Sequence, residues 1–194
     1  RGHRYISIRR FDLAVADLER AVALAPSSFD VTYHLGLAHY LKGEFDAALK
    51  AYRDCLRYSK NADMQVATSH WLYMTLRRLG RTDEAARLLE PIHAGLDVKQ
   101  DRSYLNRLLM YKGVHAPDDL LRAGGDDVTR ATYGYAVGNF HLVNARAAQG
   151  TTQAGKPEPG IGDDRHGSGT PGGVENCGEV GAGRTGVQPT FDVA

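Results

Sequence analysis

The sequence feature that most constrains the fold is a pair of amphipathic segments in residues 29–60, joined at Lys42-Gly43-Glu44. The apolar residues of the first segment fall on two neighbouring stripes of a helix. One stripe contains Tyr33, Leu37, Tyr40 and Leu41, and the other contains Leu35, Gly36 and His39. A helix with two apolar stripes packs against two neighbouring helices. Gly43 can adopt the left-handed backbone conformation in which many helices end. We therefore predict a helix–turn–helix hairpin.

The hairpin pattern recurs along the chain at intervals of 34 residues. Gly2 precedes Gly36 by 34 positions, and Ala14 precedes Ala48 by the same interval. Gly138 follows Gly36 by 102 positions, which is three such intervals. A single hairpin cannot bury its apolar stripes alone, whereas stacked hairpins bury a continuous core. The spacing therefore predicts an array of stacked hairpins.

The spacing of small and aromatic residues in this unit resembles the tetratricopeptide repeat (TPR) family. Leu35-Gly36-x2-His39 is followed by Ala48-x3-Tyr52, which matches the order of the family signature. Thr32 replaces the opening aromatic residue of that signature, and Lys60 replaces its closing proline. The resemblance implies an all-α fold, a right-handed α-solenoid of about four helix–turn–helix repeats. It also implies a bacterial-type array that is incomplete at one or both ends.

We predict that the repeat array covers residues 1–146. Its units are expected at about 1–28, 29–62 and 63–96, with a degenerate repeat at 97–125 and a half repeat at 126–146. Pro91 should kink or end the second helix of the third repeat. Residues 147–194 are rich in glycine, cannot bury enough apolar surface, and are predicted to be a disordered tail.

The last predicted helix, about Val128 to Asn144, is not followed by a second helix. Val137-Gly138-x2-His141 repeats the signature of residues 35–39, so this helix carries the stripe that a partner helix covers elsewhere. Terminal repeats normally need a polar cap. We therefore expect this end to fray or to self-associate through the uncapped C-terminal helix.

In the TPR family, the first helices of the repeats line a concave groove that binds peptides or partner helices. The resemblance assigns this role to Tyr33, Leu37, Tyr40, Leu41, His70, Met74, Arg77 and Arg78. His3, Tyr135, Asn139 and Leu142 would extend the groove into the first and last repeats. Tyrosines beside arginines suit a peptide with an aromatic or aliphatic anchor and a carboxylate. Alternatively, the tyrosines and leucines form the core between repeats, and the arginines form a solvated face.

No group of residues predicts catalysis, a cofactor or a metal. His34 and His39 are five residues apart, which places them on different faces of a helix. His39 and His141 occupy the buried aromatic position of the signature, so we expect both in the core. Cys55 occupies a buried small-residue position, where a thiol stays protonated and inert.

Composition narrows the possible partners. The net charge of +1 gives no strong attraction to nucleic acid or a membrane surface, and no apolar run is long enough to span a bilayer. We therefore expect a cytoplasmic, non-enzymatic scaffold that binds a protein or peptide. Because the chain opens at Arg1 inside a helical pattern, an alternative is the accessory domain of an enzyme whose catalytic domain lies upstream. A weaker alternative is an RNA-binding helical repeat.

Overall fold

A computed structural model describes residues 1–123 and 125–154, with side chains described up to residue 145. All regular elements in these residues are α-helices. They are α1 (Gly2–Ser7), α2 (Phe11–Leu24), α3 (Phe29–Lys42), α4 (Phe45–Tyr58), α5 (Ala62–Arg78), α6 (Thr82–Leu89), α7 (Arg102–Tyr111), α8 (Pro117–Ala123) and α9 (Asp127–Ala154). The predicted all-α array of helix–turn–helix units is confirmed.

Helices that follow one another in the sequence also pack against one another. α3 lies between α2 and α4, and α4 also packs against α5. The first helices of successive repeats are also in direct contact. α1 contacts α3, α3 contacts α5, α5 contacts α7, and α7 contacts α9. This order of contacts is that of a solenoid, in which each hairpin covers the apolar face of the next.

α3 and α4 approach each other closely at Gly36. A Cβ atom on Gly36 would lie 2.7 Å from Cε1 of Tyr52, whose side chain is fully buried. The equivalent contact occurs one repeat earlier, where a Cβ on Gly2 would lie 2.7 Å from Cγ of Leu18. In these two hairpins, a large side chain of the second helix therefore packs against a glycine of the first helix.

The turn of each hairpin depends on a residue with positive φ. Gly43 ends α3 with φ of +89°, and the backbone N–H groups of Gly43 and Glu44 donate to carbonyls in the last turn of the helix. In the first hairpin the same position is Arg9, with φ of +59°. An L-residue in this region costs roughly 1–2 kcal/mol, so the first turn is more strained than the second.

Two apolar clusters form the core and meet at one side chain. The first cluster lies among α1 to α4, and the second extends from α3 and α4 through α9. Trp71, on α5, packs against both clusters. The array therefore has one connected core along the described residues.

The third repeat has a shorter second helix than the first two repeats. α6 ends at Leu89, two positions before Pro91, as the position of that proline predicted. The segment that follows is held by Asp63, whose carboxylate accepts backbone N–H groups of Lys99, Gln100 and Asp101 at 2.8–3.2 Å. These hydrogen bonds lower the pKa of Asp63.

The last helix is longer than predicted. α9 continues to Ala154, so the predicted end at Asn144 is too early, and residues 147–154 of the predicted tail are helical. The reason is local: Ala145 stands 102 positions after Gly43, where the earlier repeat has its terminating glycine. Alanine favours continuation of the helix. The rest of the predicted tail, residues 155–194, lies outside the described residues.

Candidate partner-binding surface

The predicted groove residues lie at equivalent positions on two neighbouring first helices. Tyr33, Leu37, Tyr40 and Leu41 belong to α3, and His70, Met74, Arg77 and Arg78 belong to α5. Corresponding residues are 37 positions apart, so each residue of α3 has its counterpart on α5. Their surroundings nevertheless differ, and only some of them remain accessible.

His70 and Met74 are completely buried, so the prediction that they line an accessible groove is wrong. Nη1 of Arg107 donates to Nε2 of His70 at 3.4 Å, and Nδ1 of His70 lies 3.3 Å from the hydroxyl of Tyr111. That hydroxyl donates to Sδ of Met74 at 3.6 Å. The cause is the short α6, because α7 packs directly on α5 and covers the stripe that was expected to be open.

The packing of α7 on α5 determines the protonation state of His70. Because Nε2 accepts from Arg107, the proton of the neutral ring resides on Nδ1 and is donated to Tyr111. Burial lowers the pKa of His70 well below its ordinary value, and the positive charge of Arg107 adds to that effect. His70 is therefore a neutral core residue.

Leu37 and Tyr40 are also buried, with 6% and 7% of their surface exposed. The ring of Tyr40 lies edge-on against Phe45 at 5.5 Å and against Trp71 at 5.3 Å between centroids. These contacts join α3 to α4 and α5. The two residues fit the alternative interpretation, in which they form the core between repeats.

Tyr33 reaches across α5 to the degenerate repeat. Its hydroxyl accepts the indole N–H of Trp71 at 2.8 Å and lies 3.0 Å from the hydroxyl of Tyr104 on α7. Burial raises the pKa of Tyr33 well above its ordinary value. We call this hydrogen-bonded set of Tyr33, Trp71 and Tyr104 the aromatic bridge. It joins the first helices α3, α5 and α7.

A second contact joins two first helices, α5 and α9. Nη2 of Arg77 donates to Oδ1 of Asn144 at 2.6 Å and lies 3.4 Å from the carbonyl oxygen of Val143. Nη1 of Arg77 donates to the hydroxyl of Tyr73 at 3.5 Å. Arg77 therefore ties α5 to α9, and most of its donors are already used within the chain.

Arg78 differs from Arg77 because its donors are not matched by acceptors. Its guanidinium lies 4.8 Å over the ring of Phe45, and its Nε is buried without a hydrogen-bond partner among the described residues. No carboxylate of the described chain forms an ion pair with Arg78. Leu41, its counterpart on α3, remains 37% exposed. We call Leu41, Phe45 and Arg78 the open patch.

The predicted groove residues of the first and last repeats are scattered. His3 is half-buried, with its ring 4.5 Å from that of His34. Asn139 is buried, Tyr135 is half-buried, and Leu142 is exposed. Tyr135 is close enough to Arg78 for that positive charge to offset part of the rise that burial causes in the pKa of Tyr135, so this residue of the last repeat is a neighbour of the open patch.

His39 and His141 have opposite environments despite their shared signature position. His39 is buried and its Nδ1 lies 2.7 Å from Oε2 of Glu44, whereas His141 is exposed. The prediction that His141 lies in the core is wrong, because no helix in residues 1–123 or 125–154 covers α9 where α4 covers α3.

The remaining chemistry of the described residues is structural. Burial raises the pKa of the Cys55 thiol to about 11, and its sulfur lies 3.4 Å from Oγ1 of Thr68. Within residues 1–123 and 125–154, no three His, Cys, Asp or Glu side chains gather in a way that would hold a metal ion. None of the described helices is both long and apolar enough to cross a membrane.

The sequence analysis did not predict that residues of α7 cover α5. Tyr104, Arg107 and Tyr111 lie in the degenerate repeat, whose signature is too weak to align by eye. The signal was nevertheless available, since Tyr104 stands 34 positions after His70 and Tyr111 stands 34 positions after Arg77. Extending the repeat interval through α7 would have placed both tyrosines on the same stripe.

Comparisons with known proteins agree with this architecture. Residues 1–62 match the family model described as tetratricopeptide repeat. Comparison with the curated proteins and with the solved structures gave no significant match. The matched residues include α1 to α4, which are the two hairpins with the close glycine contacts. The family match and the two hairpins together identify residues 1–62 as tetratricopeptide repeats, and the described helices that follow continue the same hairpin order.

Proposed function

We propose that the chain is a non-enzymatic scaffold that binds an acidic segment of a partner protein at the open patch. Tetratricopeptide repeats generally mediate protein–protein interactions and typically form scaffolds without catalytic activity. The open patch consists of Leu41 and Arg78 from the predicted stripe on α3 and α5, together with Phe45 at the start of α4. It combines an apolar side chain, an aromatic ring and a cation within one small surface.

The observation that carries this proposal is the unmatched guanidinium of Arg78. A buried donor without an acceptor costs roughly 1–3 kcal/mol, and a charge-assisted hydrogen bond removes that cost. Nε of Arg78 is such a donor among the described residues. A ligand carboxylate would pair with the guanidinium of this half-buried side chain, whereas Arg77 already donates to Asn144.

The apolar part of the patch suggests the second feature of the ligand. Leu41 is partly exposed, and the ring of Phe45 is held between Tyr40 and the guanidinium of Arg78. An aliphatic or aromatic side chain next to the ligand carboxylate would bury this surface. Of the other residues in the predicted set, Tyr40 supports the patch, since its ring packs against Phe45 at 5.5 Å between centroids.

A peptide library tests this proposal. Labelled peptides with an apolar anchor and a free C-terminal carboxylate are compared with the same peptides amidated at that end. We expect the free acids to bind more tightly at low salt. Arg78→Ala should weaken their binding about 10-fold or more, since a hydrogen bond to a charged group contributes about 1.5–3 kcal/mol.

Arg87→Ala is the matched control, because Arg87 is exposed on α6 and forms no ion pair with the described residues. This variant should bind the acids as the wild type does. Circular dichroism confirms that both variants remain helical. Equal binding by Arg78→Ala and wild type, or equal binding of acids and amides, would remove the open patch as the ligand site.

A further inference from the structure

We propose that His3 and His34 form a two-histidine site for a divalent transition-metal ion of the copper, nickel and zinc class. The two side chains belong to the first helices of neighbouring repeats, α1 and α3, and their ring centroids are 4.5 Å apart. A bound ion would therefore link the first hairpin to the second. The site shares no residue with the open patch and does not depend on the peptide proposed for that patch.

The repeat interval explains why the two histidines meet. The counterpart of His3 on α3 is Leu37, 34 positions later, and His34 precedes Leu37 by three residues. Residues three apart are neighbours on the same side of a helix. Because α1 contacts α3, the rings of His3 and His34 come together at the boundary between the repeats. The pair spans two helices, so a search for ligand spacing within one helix does not detect it.

The separation of the two rings suits coordination of one ion by both. Two imidazoles that bind an ion at about 2.0–2.1 Å place their ring centroids roughly 4.5–5.2 Å apart for bond angles of about 90–109°. The observed separation of 4.5 Å lies at the right-angle end of this range. Square-planar and tetragonal sites of copper and nickel have right angles between neighbouring ligands. The ring separation therefore favours these two ions.

His34 is held in the orientation and tautomer of a metal ligand. Its Nδ1 lies 2.7 Å from the backbone carbonyl oxygen of Asp30. In the neutral ring, Nδ1 therefore carries the proton and donates it to this oxygen, and Nε2 carries the lone pair. The ring of Tyr33 packs edge-on against the imidazole at 5.5 Å between centroids. Metal-binding histidines commonly have their other ring nitrogen fixed in this way.

The surroundings of the pair leave room for an ion and do not repel it. Among the described residues, no hydrogen bond uses a ring nitrogen of His3, and the side chain is half-buried. Both histidines border a surface cavity of about 560 Å³, which can hold an ion and the water molecules that complete its coordination. Two arginines and two aspartates also border this cavity, so their charges cancel: Arg1, Asp17, Arg20 and Asp30.

The ligand type determines which ions should bind. Neutral imidazole suits copper, nickel and zinc, whereas magnesium and calcium prefer oxygen ligands. For a given nitrogen site, the affinity rises from nickel to copper and falls again at zinc. We therefore expect Cu²⁺ to bind most tightly, Ni²⁺ and Zn²⁺ to bind more weakly, and Mg²⁺ not to bind at the same concentration.

Calorimetric titration of the full chain with each of these four ions measures binding. His3→Ala and His34→Ala should each weaken the binding of Cu²⁺ about 10-fold or more, because a single imidazole remains. The double variant should lose little more than either single variant, since both residues hold the same ion. His141→Ala, at an exposed position on α9, is the control and should bind Cu²⁺ as the wild type does.

NMR spectroscopy tests the location of the ion. Cu²⁺ is paramagnetic and broadens the signals of nearby nuclei, so a small amount should first broaden the amide signals of α1 and of the first turns of α3. Saturating Zn²⁺ should slow hydrogen exchange in α1, because the ion ties this helix of six residues to α3. His3→Phe keeps a ring against His34 but removes the ligand nitrogens, and it should lose Cu²⁺ binding as His3→Ala does.

Two results would overturn the proposal. The first is equal affinity for Cu²⁺ in the wild type, His3→Phe and His34→Ala, with circular dichroism showing that all three are folded. The second is broadening confined to signals outside α1 and α3, which would assign the ion to other residues of the chain.

Discussion

At the scale of single residues, the polar groups between α5 and α7 form one hydrogen-bonded chain. Arg107 donates to His70, His70 donates to Tyr111, and Tyr111 donates to Met74. Arg107 also donates to the carbonyl oxygen of Ser103 and lies 4.1 Å over the ring of Tyr104. Each member therefore has a partner, and this chain of bonds holds α7 on α5.

The neutral His70 predicts how stability depends on pH. Its pKa is lowered in the folded protein, so below the ordinary value of 6.5 the unfolded chain takes up a proton that the folded chain does not. The contribution of His70 to the free energy of unfolding should therefore be greatest above pH 6.5 and should decrease as the pH falls. Urea titrations at several pH values measure the slope.

The variant His70→Phe is the test of that assignment. His3 also has a lowered pKa, chiefly because of partial burial, so part of the slope remains in any His70 variant. Replacing His70 should still make the dependence between pH 6.5 and pH 5 shallower. The same slope in wild type and His70→Phe would show that this group is not buried in its neutral form.

Two glycines at the same repeat position should respond oppositely to alanine. Gly36→Ala forces a Cβ against the buried ring of Tyr52 and should lower the free energy of unfolding by roughly 1–3 kcal/mol. Gly138→Ala meets no neighbour and should raise it by up to about 1 kcal/mol through helix propensity. Thermal unfolding of both variants measures the difference. Changes of the same sign would contradict the placement of one glycine.

At the scale of elements, the aromatic bridge is the main link between α3 and α7. Tyr33→Phe keeps the ring but leaves the indole N–H of Trp71 without its acceptor. The variant should lower the free energy of unfolding by roughly 1–3 kcal/mol and increase hydrogen exchange in α7. Tyr58→Phe, at a half-buried position at the end of α4, is the control and should change neither quantity. Unchanged exchange in α7 would mean that this link is absent.

A helix was predictable from the sequence wherever its apolar stripe, its repeat signature and the residue that ends it all agree. α3 and α4 follow directly from two apolar stripes and from Gly43, and Pro91 correctly marks the end of α6. The end of α9 was not predictable from glycine content, because a single alanine at position 145 lets the helix continue. Local sequence thus determines each helix, and one residue at a terminator position changes the length.

The candidate site was less predictable, because it depends on packing between elements distant in sequence. The repeat pattern places His70 and Met74 on the correct stripe of α5. It does not reveal that a second helix of only eight residues, α6, lets α7 pack on that stripe. Arg77 and Arg78 are neighbours in sequence, yet only Arg77 reaches Asn144 on α9. Contacts that skip a repeat therefore decide which predicted residues remain accessible.

At the scale of the whole molecule, the described array is a stack of hairpins in which two contacts join first helices that are not neighbours in the chain. The aromatic bridge joins α3 to α7, and Arg77 joins α5 to α9. These contacts tie α3 to α7 and α5 to α9 without involving the guanidinium of Arg78.

The central claim is that the first helices converge on Trp71, the single tryptophan of the chain, and an NMR measurement of its indole N–H tests this most directly. A buried, hydrogen-bonded N–H exchanges slowly with solvent. We predict one slowly exchanging indole signal with nuclear Overhauser contacts to the ring of Tyr33, and contacts between the rings of Tyr33 and Tyr104. An indole N–H that exchanges at the rate of an exposed tryptophan, without these contacts, would contradict the convergence of α3, α5 and α7.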